Sequence, residues 1–521
     1  MRRETFLQRI AERRKPWDLA VIGGGATGVG IALDAAARGF DVVLLEQSDF
    51  GKGTSSRSTK LIHGGVRYLQ HGNLSLVIEA LKERGLLLHN APHLVHDLPF
   101  VVPNYQWWEA PFYGIGLKVY DLLAGKLGFG PSVLLSREQV LERIPTLEQD
   151  GLRGGVMYHD GQFDDSRLLI NLAQTAAEKG GCLLNYARVL RLLKGADHLV
   201  GGLEFRDEES GLQHSVRARC VINATGPFTD GLRRLDDPAA EPMIAPSQGV
   251  HLVLDQSFLP GDTAIMVPHT RDGRIMFALP WHHHVVVGTT DTPVPEPSLE
   301  PRPAEGEIDF ILETAGGYLA KRPGRADILS VFTGIRPLVK ASAAPNTAVL
   351  SREHIISISE SGLLTIAGGK WTTYRKMAED VVDNAIVLAR LDDRPCVTRN
   401  LRICGWSEQV DPDIALAGYG SDAVFLREMM EAEPDLATPL HPALPITRAQ
   451  VLWAVRQEMA RTIEDVLARR TRVLYLNARA ALAMSPAVAD LLARELGRDE
   501  AWQQRQLQDF AQTAAGSLVE S

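Results

Sequence analysis

Two adjacent stretches near the start of the chain carry residue types suited to chemistry. The first, Asp-Leu-Ala-Val-Ile-Gly-Gly-Gly-Ala-Thr-Gly over 18–28, sets Gly23, Gly25 and Gly28 in the GxGxxG spacing, with Ala26 and Thr27 between them. The first glycine of that pattern permits a tight turn, and the second lets backbone approach a pyrophosphate. The third lets the next helix pack close to its strand. The second stretch is Gly-Thr-Ser-Ser-Arg-Ser-Thr-Lys-Leu-Ile-His-Gly-Gly-Val-Arg-Tyr over 53–68. It combines the hydroxyls of Thr54, Ser55, Ser56 and Thr59 with Lys60, Leu61, His63, Gly64, Arg67 and Tyr68. Such a loop brings backbone and hydroxyl donors close to a ring system and its phosphates.

The elements that must position these groups are legible around them. Residues 19–22 read as a buried parallel strand. A helix over about 26–38 buries Val29, Ala32, Leu33 and Ala36 and ends at Gly39. Its N-terminus offers N–H groups and a positive dipole end to phosphates. Residues 41–45 form the second strand, and Glu46 closes it. A carboxylate there accepts hydrogen bonds from a ribose diol and disfavours the 2′-phosphate of NADP. These features agree on an adenine dinucleotide and leave FAD and NAD open.

Two later strands return to the same ligand. One, over 219–227, ends in Ala224, Thr225 and Gly226. The other, over 362–370, ends in Gly368, Gly369 and Lys370, after which Thr372 or Thr373 caps a helix with Met377, Val381, Val382, Ala385 and Ile386 at helical spacing. Between them, alternating segments at 249–254, 274–280 and 284–292 predict an antiparallel sheet, the wall or floor of a pocket. The histidines at 282–284 are adjacent on an extended chain and point to opposite sides, which argues against a metal site. Beyond 395, the capping-box pattern Thr447 to Gln450 opens a helix. It carries Val451, Leu452, Val455, Met459, Ile463, Val466 and Leu467 at helical spacing, and Ser485-Pro486 opens another. This part shows no nucleophile–base pair or phosphate loop and is assigned to packing, assembly or docking.

The expected fold class is therefore α/β: a Rossmann-like dinucleotide-binding domain, an antiparallel-sheet substrate domain and a C-terminal α-helical domain. Residues 1–16 form a basic arm. Residues 17–394 interleave the first two domains, with cofactor segments at about 17–80, 155–230 and 355–390 and substrate segments at about 81–154 and 231–354. Residues 395–521 form the third.

With 521 residues, 45% hydrophobic and 23% charged, the chain is globular and long enough for two or three domains. A net charge of −9 argues against a nucleic-acid binder that relies on bulk positive charge. The four cysteines, Cys182, Cys220, Cys396 and Cys404, form no CxxC pair and read as reduced thiols in a cytoplasmic protein. No apolar run approaches the ~18–20 residues that span a bilayer. Two segments admit a membrane-surface reading. The basic arm is either a solvated helix packed on the domain edge or a contact with an anionic membrane. Residues 105–123, dense in aromatics and glycine, form either a helix buried between domains or an interfacial surface.

Taken with the Gly-rich fingerprint and the 53–68 loop, four further motifs carry a family resemblance. They are Ala-Thr-Gly-Pro at 224–227, Gly-Thr-Thr-Asp at 288–291, Gly-Ile-Arg-Pro-Leu at 334–338 and Gly-Gly-Lys-Trp-Thr-Thr-Tyr-Arg at 368–375. In this order they resemble FAD-dependent glycerol-3-phosphate dehydrogenases, from about residue 17 to the end. No calcium-loop pattern of the mitochondrial members is present.

The resemblance implies oxidation of sn-glycerol 3-phosphate to dihydroxyacetone phosphate, with electrons passing through FAD to a membrane quinone. It implies peripheral association with the cytoplasmic membrane, and a homodimer is compatible with it. It places Arg336 and Arg352 at the substrate phosphate and Arg67, with Tyr68, beside the substrate. Fixed guanidinium groups suit a phosphate dianion, because arginine stays charged and binds oxygens bidentately. His63 is the expected base and His251 the second candidate, since histidine titrates near neutral pH. Lys370, a cation at a helix N-terminus, is expected to stabilise charge on the reduced flavin and to touch substrate. Val189, Gly334, Trp371 and Thr372 complete the expected cofactor residues. Competing readings are a glycerol-3-phosphate oxidase that uses oxygen, an amino-acid oxidase of the same fold and a non-catalytic FAD-binding membrane-docking protein.

Overall fold

The computed structural model describes the chain except for residues 66–73, 269, 272, 341–353 and 520–521. Five parallel strands form the spine of the first sheet, in the order Leu364–Gly368, Gln213–Asn223, Trp17–Ile22, Val42–Leu45 and Cys182–Leu184. Four of them read as near-continuous apolar runs because helices cover both faces. Helix Ala26–Ala37 packs on helices Tyr374–Leu388 and Asp165–Glu178. Its predicted inner face, Val29, Ala32, Leu33 and Ala36, is buried, and Gly39 ends it with φ +79°.

The second sheet has ten strands and is mostly antiparallel. Next to one edge, strand Ile244–Asp255 lies between His284–Gly288 and the long strand Ile328–Val339. Strand Gly154–Phe163 belongs to this sheet, paired with Val95–Asn104 along its whole length. The second cofactor-side segment therefore starts at helix Asp165–Glu178 and not at residue 155. Strand Leu61–Ile62 also joins this sheet, so the chain between Leu45 and Leu61 crosses from one sheet to the other.

The C-terminal part is helical, with one small hairpin over 439–447. The capping box at Thr447 forms, with Gln450 Oε1 accepting from Thr447 N at 2.8 Å. Two helix expectations there need correction. The helix stops at Glu458, because Met459 takes a left-handed conformation (φ +56°) and the apolar spacing beyond it belongs to separate short turns. Pro486 does not open a helix but lies inside Ala478–Leu496, which Asn477 caps by accepting from Ala480 N at 3.0 Å. Proline cannot bond the carbonyl four residues back. Here Ser485 Oγ donates to that carbonyl, Leu482 O, at 2.8 Å. The domain docks through buried charge: Arg469 and Arg470 both pair with Asp49, and Arg167 pairs with Glu458 at 2.8 Å.

The basic arm is a packed element. Helix Arg3–Glu12 buries Phe6 and Ile10, Arg3 pairs with Asp207, and Arg13 lies 4.1 Å from the Trp17 ring centroid. Arg3, Arg9 and Arg13 are held on the domain edge, which favours the packing reading.

Candidate active site

A cavity of about 680 Å³ runs along the C-terminal ends of the parallel strands, where open α/β sheets bind ligands. Gly23, Gly25, Ala26, Thr27, Glu46, Thr54, Ser55, Val189, Ala224, Thr225, Gly226, Gly369, Lys370 and Trp371 line it.

Its construction follows from the glycines. Gly23 has φ +111°, and a Cβ there would stand 2.5 Å from Ala224 O, so the two strand-end turns touch. A Cβ on Gly28 would collide with the Gly23 carbonyl, which is why the helix can start so close to its strand. Gly28 therefore sits behind the turn and does not line the cavity. At the helix N-terminus, Ala26 N donates to Ser55 Oγ at 2.9 Å, and Ser55 O accepts from Trp371 Nε1 at 2.9 Å. Glu46 Oε2 accepts from Gly24 N at 2.6 Å and Oε1 from Ser48 N at 2.8 Å. Burial raises its pKa, and the two backbone donors oppose that shift. Each carboxylate oxygen keeps a further lone pair for a ribose. The cradle thus fits an extended dinucleotide, with Glu46 and Val189 toward one end and Lys370, Trp371 and Pro337 toward the other.

Several expected cofactor residues serve elsewhere. Lys60 has φ +65° and turns its side chain into the core, where Nζ donates to Asp165 Oδ2 at 2.7 Å and Ser56 O at 2.9 Å beneath the Phe332 ring. Burial lowers its pKa to about 8 although Asp165 opposes the shift. Ser56 Oγ donates to Gly51 O at 2.7 Å. Leu61 is a core residue of the second sheet. Gly334 makes room for the Arg57 backbone, whose carbonyl would lie 2.8 Å from a Cβ. Thr59 Oγ1 bonds His251 Nε2 at 2.9 Å. The sequence left Arg188, Arg206 and Phe228 unnoticed; all line the cavity, as does Pro337 of the Gly-Ile-Arg-Pro-Leu motif.

Three segments meet near Lys370. His63 N donates to Thr372 Oγ1 at 3.3 Å, which holds the histidine loop against the turn that carries Lys370. Gly64 N donates to Tyr120 Oη at 2.7 Å, Tyr120 donates to Asp160 Oδ2 at 2.8 Å, and Arg84 pairs with Asp160 at 2.6 Å. His63 itself is half-buried.

The second sheet supplies the opposing wall. Along strand 244–255, Gly249 and His251 share a face, and across from them Phe332, Gly334 and Arg336 share the same face. The His251 ring stacks on Phe332 at 4.8 Å between centroids. Burial, with the charges of Lys60 and Arg336, pushes the His251 pKa well below its ordinary value. Arg336 Nη2 donates to Thr290 O at 2.9 Å and Thr289 Oγ1 at 3.1 Å, and Nη1 to Gln248 O and Asp291 Oδ1, each at 3.3 Å. Arg67, Tyr68 and Arg352 lie outside the described residues.

Comparison with known proteins agrees with this geometry. The FAD dependent oxidoreductase family matches residues 18–375, and the family described as the C-terminal domain of alpha-glycerophosphate oxidase matches residues 363–503. The mitochondrial glycerol-3-phosphate dehydrogenase of Homo sapiens is 42% identical over 94% of this chain and 72% of its own. That of Schizosaccharomyces pombe is 38% identical over 100% and 90%. The structure of glycerol-3-phosphate dehydrogenase from Bacillus halodurans complexed with FAD superposes with a TM-score of 0.81, at 31% identity over 100% of this chain and 99% of the other. A cradle shaped for an extended dinucleotide, which the second sheet reaches at Pro337, and a match over nearly the whole length place this chain in the FAD-dependent glycerol-3-phosphate dehydrogenase family.

Proposed function

We propose that the chain oxidises sn-glycerol 3-phosphate to dihydroxyacetone phosphate at the Lys370 end of the cavity and passes the electrons to a membrane quinone. The observation that carries this reading is that the His63 loop is bonded to the turn after Lys370 and that Pro337, next to Arg336, lines the dinucleotide cavity. Bound FAD supplies the two-electron acceptor. Arg336 holds the phosphate. Its 3.3 Å contact to the Gln248 carbonyl is long for an N–H···O bond and is the one a phosphate oxygen would replace, while Asp291 keeps its hold on Nη1. His63 takes the C2 hydroxyl proton. Of the two histidines, His251 is the weaker base, because its depressed pKa keeps it neutral and poorly basic. Lys370 lies at the cavity end where helix Tyr374–Leu388 begins, so cation and helix dipole together favour negative charge there.

The membrane contact is helix Glu109–Ala124. It buries Tyr113, Leu117, Tyr120 and Ala124 and turns Phe112, Ile115, Val119 and Leu122 outward. Trp107, Ile115 and Leu122 are 76%, 70% and 79% exposed, and Leu134 on the neighbouring strand extends the face. Among the described residues no helix is long and apolar enough to cross a membrane. An apolar face of this kind, with Trp107 and Trp108 at one end, suits insertion at headgroup depth.

Two measurements test the reading. Turnover with a soluble quinone analogue should exceed oxygen uptake by a wide margin; peroxide release at a rate matching quinone reduction would favour an oxidase. Replacing Trp107, Ile115 and Leu122 together by serine should lower partition onto anionic phospholipid vesicles at least tenfold, since each large apolar side chain contributes roughly 1.5–3 kcal/mol on burial. Turnover with the soluble acceptor should persist. Unchanged vesicle binding would remove this helix from the membrane surface.

A further inference from the structure

Arg336 occupies a place prepared for it from several segments. Its guanidinium lies over Gly249 on the neighbouring strand. A Cβ on Gly249 would overlap Nη2 and stand 2.7 Å from both Cζ and Nη1. Gly249 has no left-handed backbone conformation to explain its identity, so the space above it is what matters. The 288–291 segment closes the polar side. Thr289 Oγ1 and Thr290 O accept from Nη2, and Asp291 Oδ1 accepts from Nη1. Asp291 is itself braced. Ser247 Oγ bonds its carboxylate, and Arg274 Nη1 donates to its backbone carbonyl at 2.7 Å, with the Arg274 guanidinium 3.9 Å from Oδ2. Asp291 is buried, whereas the Arg336 side chain keeps 21% of its surface open.

We propose that Gly249 and Asp291 are positioning residues for phosphate recognition: Gly249 gives the Arg336 guanidinium its floor and Asp291 fixes its rotation. The inference rests on Arg336 as the phosphate ligand. A guanidinium is a rigid planar fork, so a tilt or a shift of about 1 Å costs it the bidentate geometry that an ordinary charge would not need. The three atoms nearest a Cβ on Gly249 all belong to the far end of the flexible Arg336 side chain, and the backbone there is not left-handed. The fold survives the change while the guanidinium moves. Asp291→Asn keeps the shape and removes the charge.

The test uses the FAD-loaded full chain. Gly249→Ala should raise the KM for sn-glycerol 3-phosphate at least tenfold and weaken competitive inhibition by inorganic phosphate in parallel. kcat should stay within about twofold. Asp291→Asn should move the same two quantities in the same direction. The decisive readout is the double variant. In an Arg336→Ala background, neither Gly249→Ala nor Asp291→Asn should change KM further, because each acts only through Arg336. If either change raises KM equally with and without Arg336, the residue is structural and the inference falls. If both leave KM within twofold while Arg336→Ala raises it, the inference falls and the phosphate reading stands. If Arg336→Ala itself leaves KM unchanged, the phosphate reading falls and takes the inference with it. Should Gly249→Ala misfold, the Asp291→Asn cycle decides alone.

Discussion

Arg336→Ala raises the KM for sn-glycerol 3-phosphate roughly 10- to 150-fold, the equivalent of about 1.5–3 kcal/mol for a hydrogen bond to a charged group. The phosphate is remote from the carbon that is oxidised. The lost interaction is therefore shared by ground and transition states, and kcat changes much less than KM. Arg336→Lys does not restore the wild-type value. Lysine carries the charge but not the fork that Gly249, Thr289, Thr290 and Asp291 are shaped to hold. Steady-state kinetics on the three proteins, with flavin content matched, checks this. An unchanged KM in Arg336→Ala would remove the residue from the substrate site.

The second large effect is on stability. Asp165 lies at the centre of a buried cluster that ties the 53–68 loop to the C-terminal domain. Its Oδ2 accepts from Lys60 Nζ at 2.7 Å and Ser58 Oγ at 2.7 Å, and its Oδ1 from Arg472 Nη2 at 2.9 Å and Ser166 N at 2.8 Å. Asp165→Ala leaves the buried Lys60 without its counter-ion and Arg472 with only its 3.5 Å contact to Asp164, a loss of about 3–5 kcal/mol for breaking a buried pair. With several domains involved, the proper readout is the rate of flavin release and inactivation on heating, which should rise well over tenfold. The same cluster carries a pH signature. Lys60 titrates at about 8 in the folded chain against an ordinary 10.5. Between those values the unfolded chain binds more protons than the folded one, so the stability linked to Lys60 increases as pH rises through that window. The difference in stability between wild type and Lys60→Met should change with pH from 8 to 10.5, and a flat difference would contradict it.

The contrast between these two sites shows what can be read from a sequence. The cradle was legible because its logic is local. Gly23, Gly25 and Gly28 fall within six residues, and Glu46 closes the very next strand. The capping box at Thr447 is local in the same sense. Lys60 was misread because its partner stands 105 residues away and its own left-handed backbone turns the side chain out of the loop's pattern. Arg188 and Arg206 reach the cavity from a strand pair that carries no motif. Gly249 looks like any glycine in a strand until the 336 side chain is laid over it from across the sheet. The aromatic segment at 105–123 was undecidable by periodicity alone. Its buried stripe and its exposed stripe are both apolar, and only packing tells which side the protein covers.

The claim on which everything else depends is that this cavity holds FAD and that sn-glycerol 3-phosphate delivers electrons to it. Anaerobic titration of the purified protein with sn-glycerol 3-phosphate, followed in the visible absorbance of the flavin, tests it without any acceptor. The yellow colour should bleach stoichiometrically with wild-type protein, and Arg336→Ala should require a much higher concentration for the same bleaching. A flavin-loaded protein that stays yellow at saturating substrate would contradict the account.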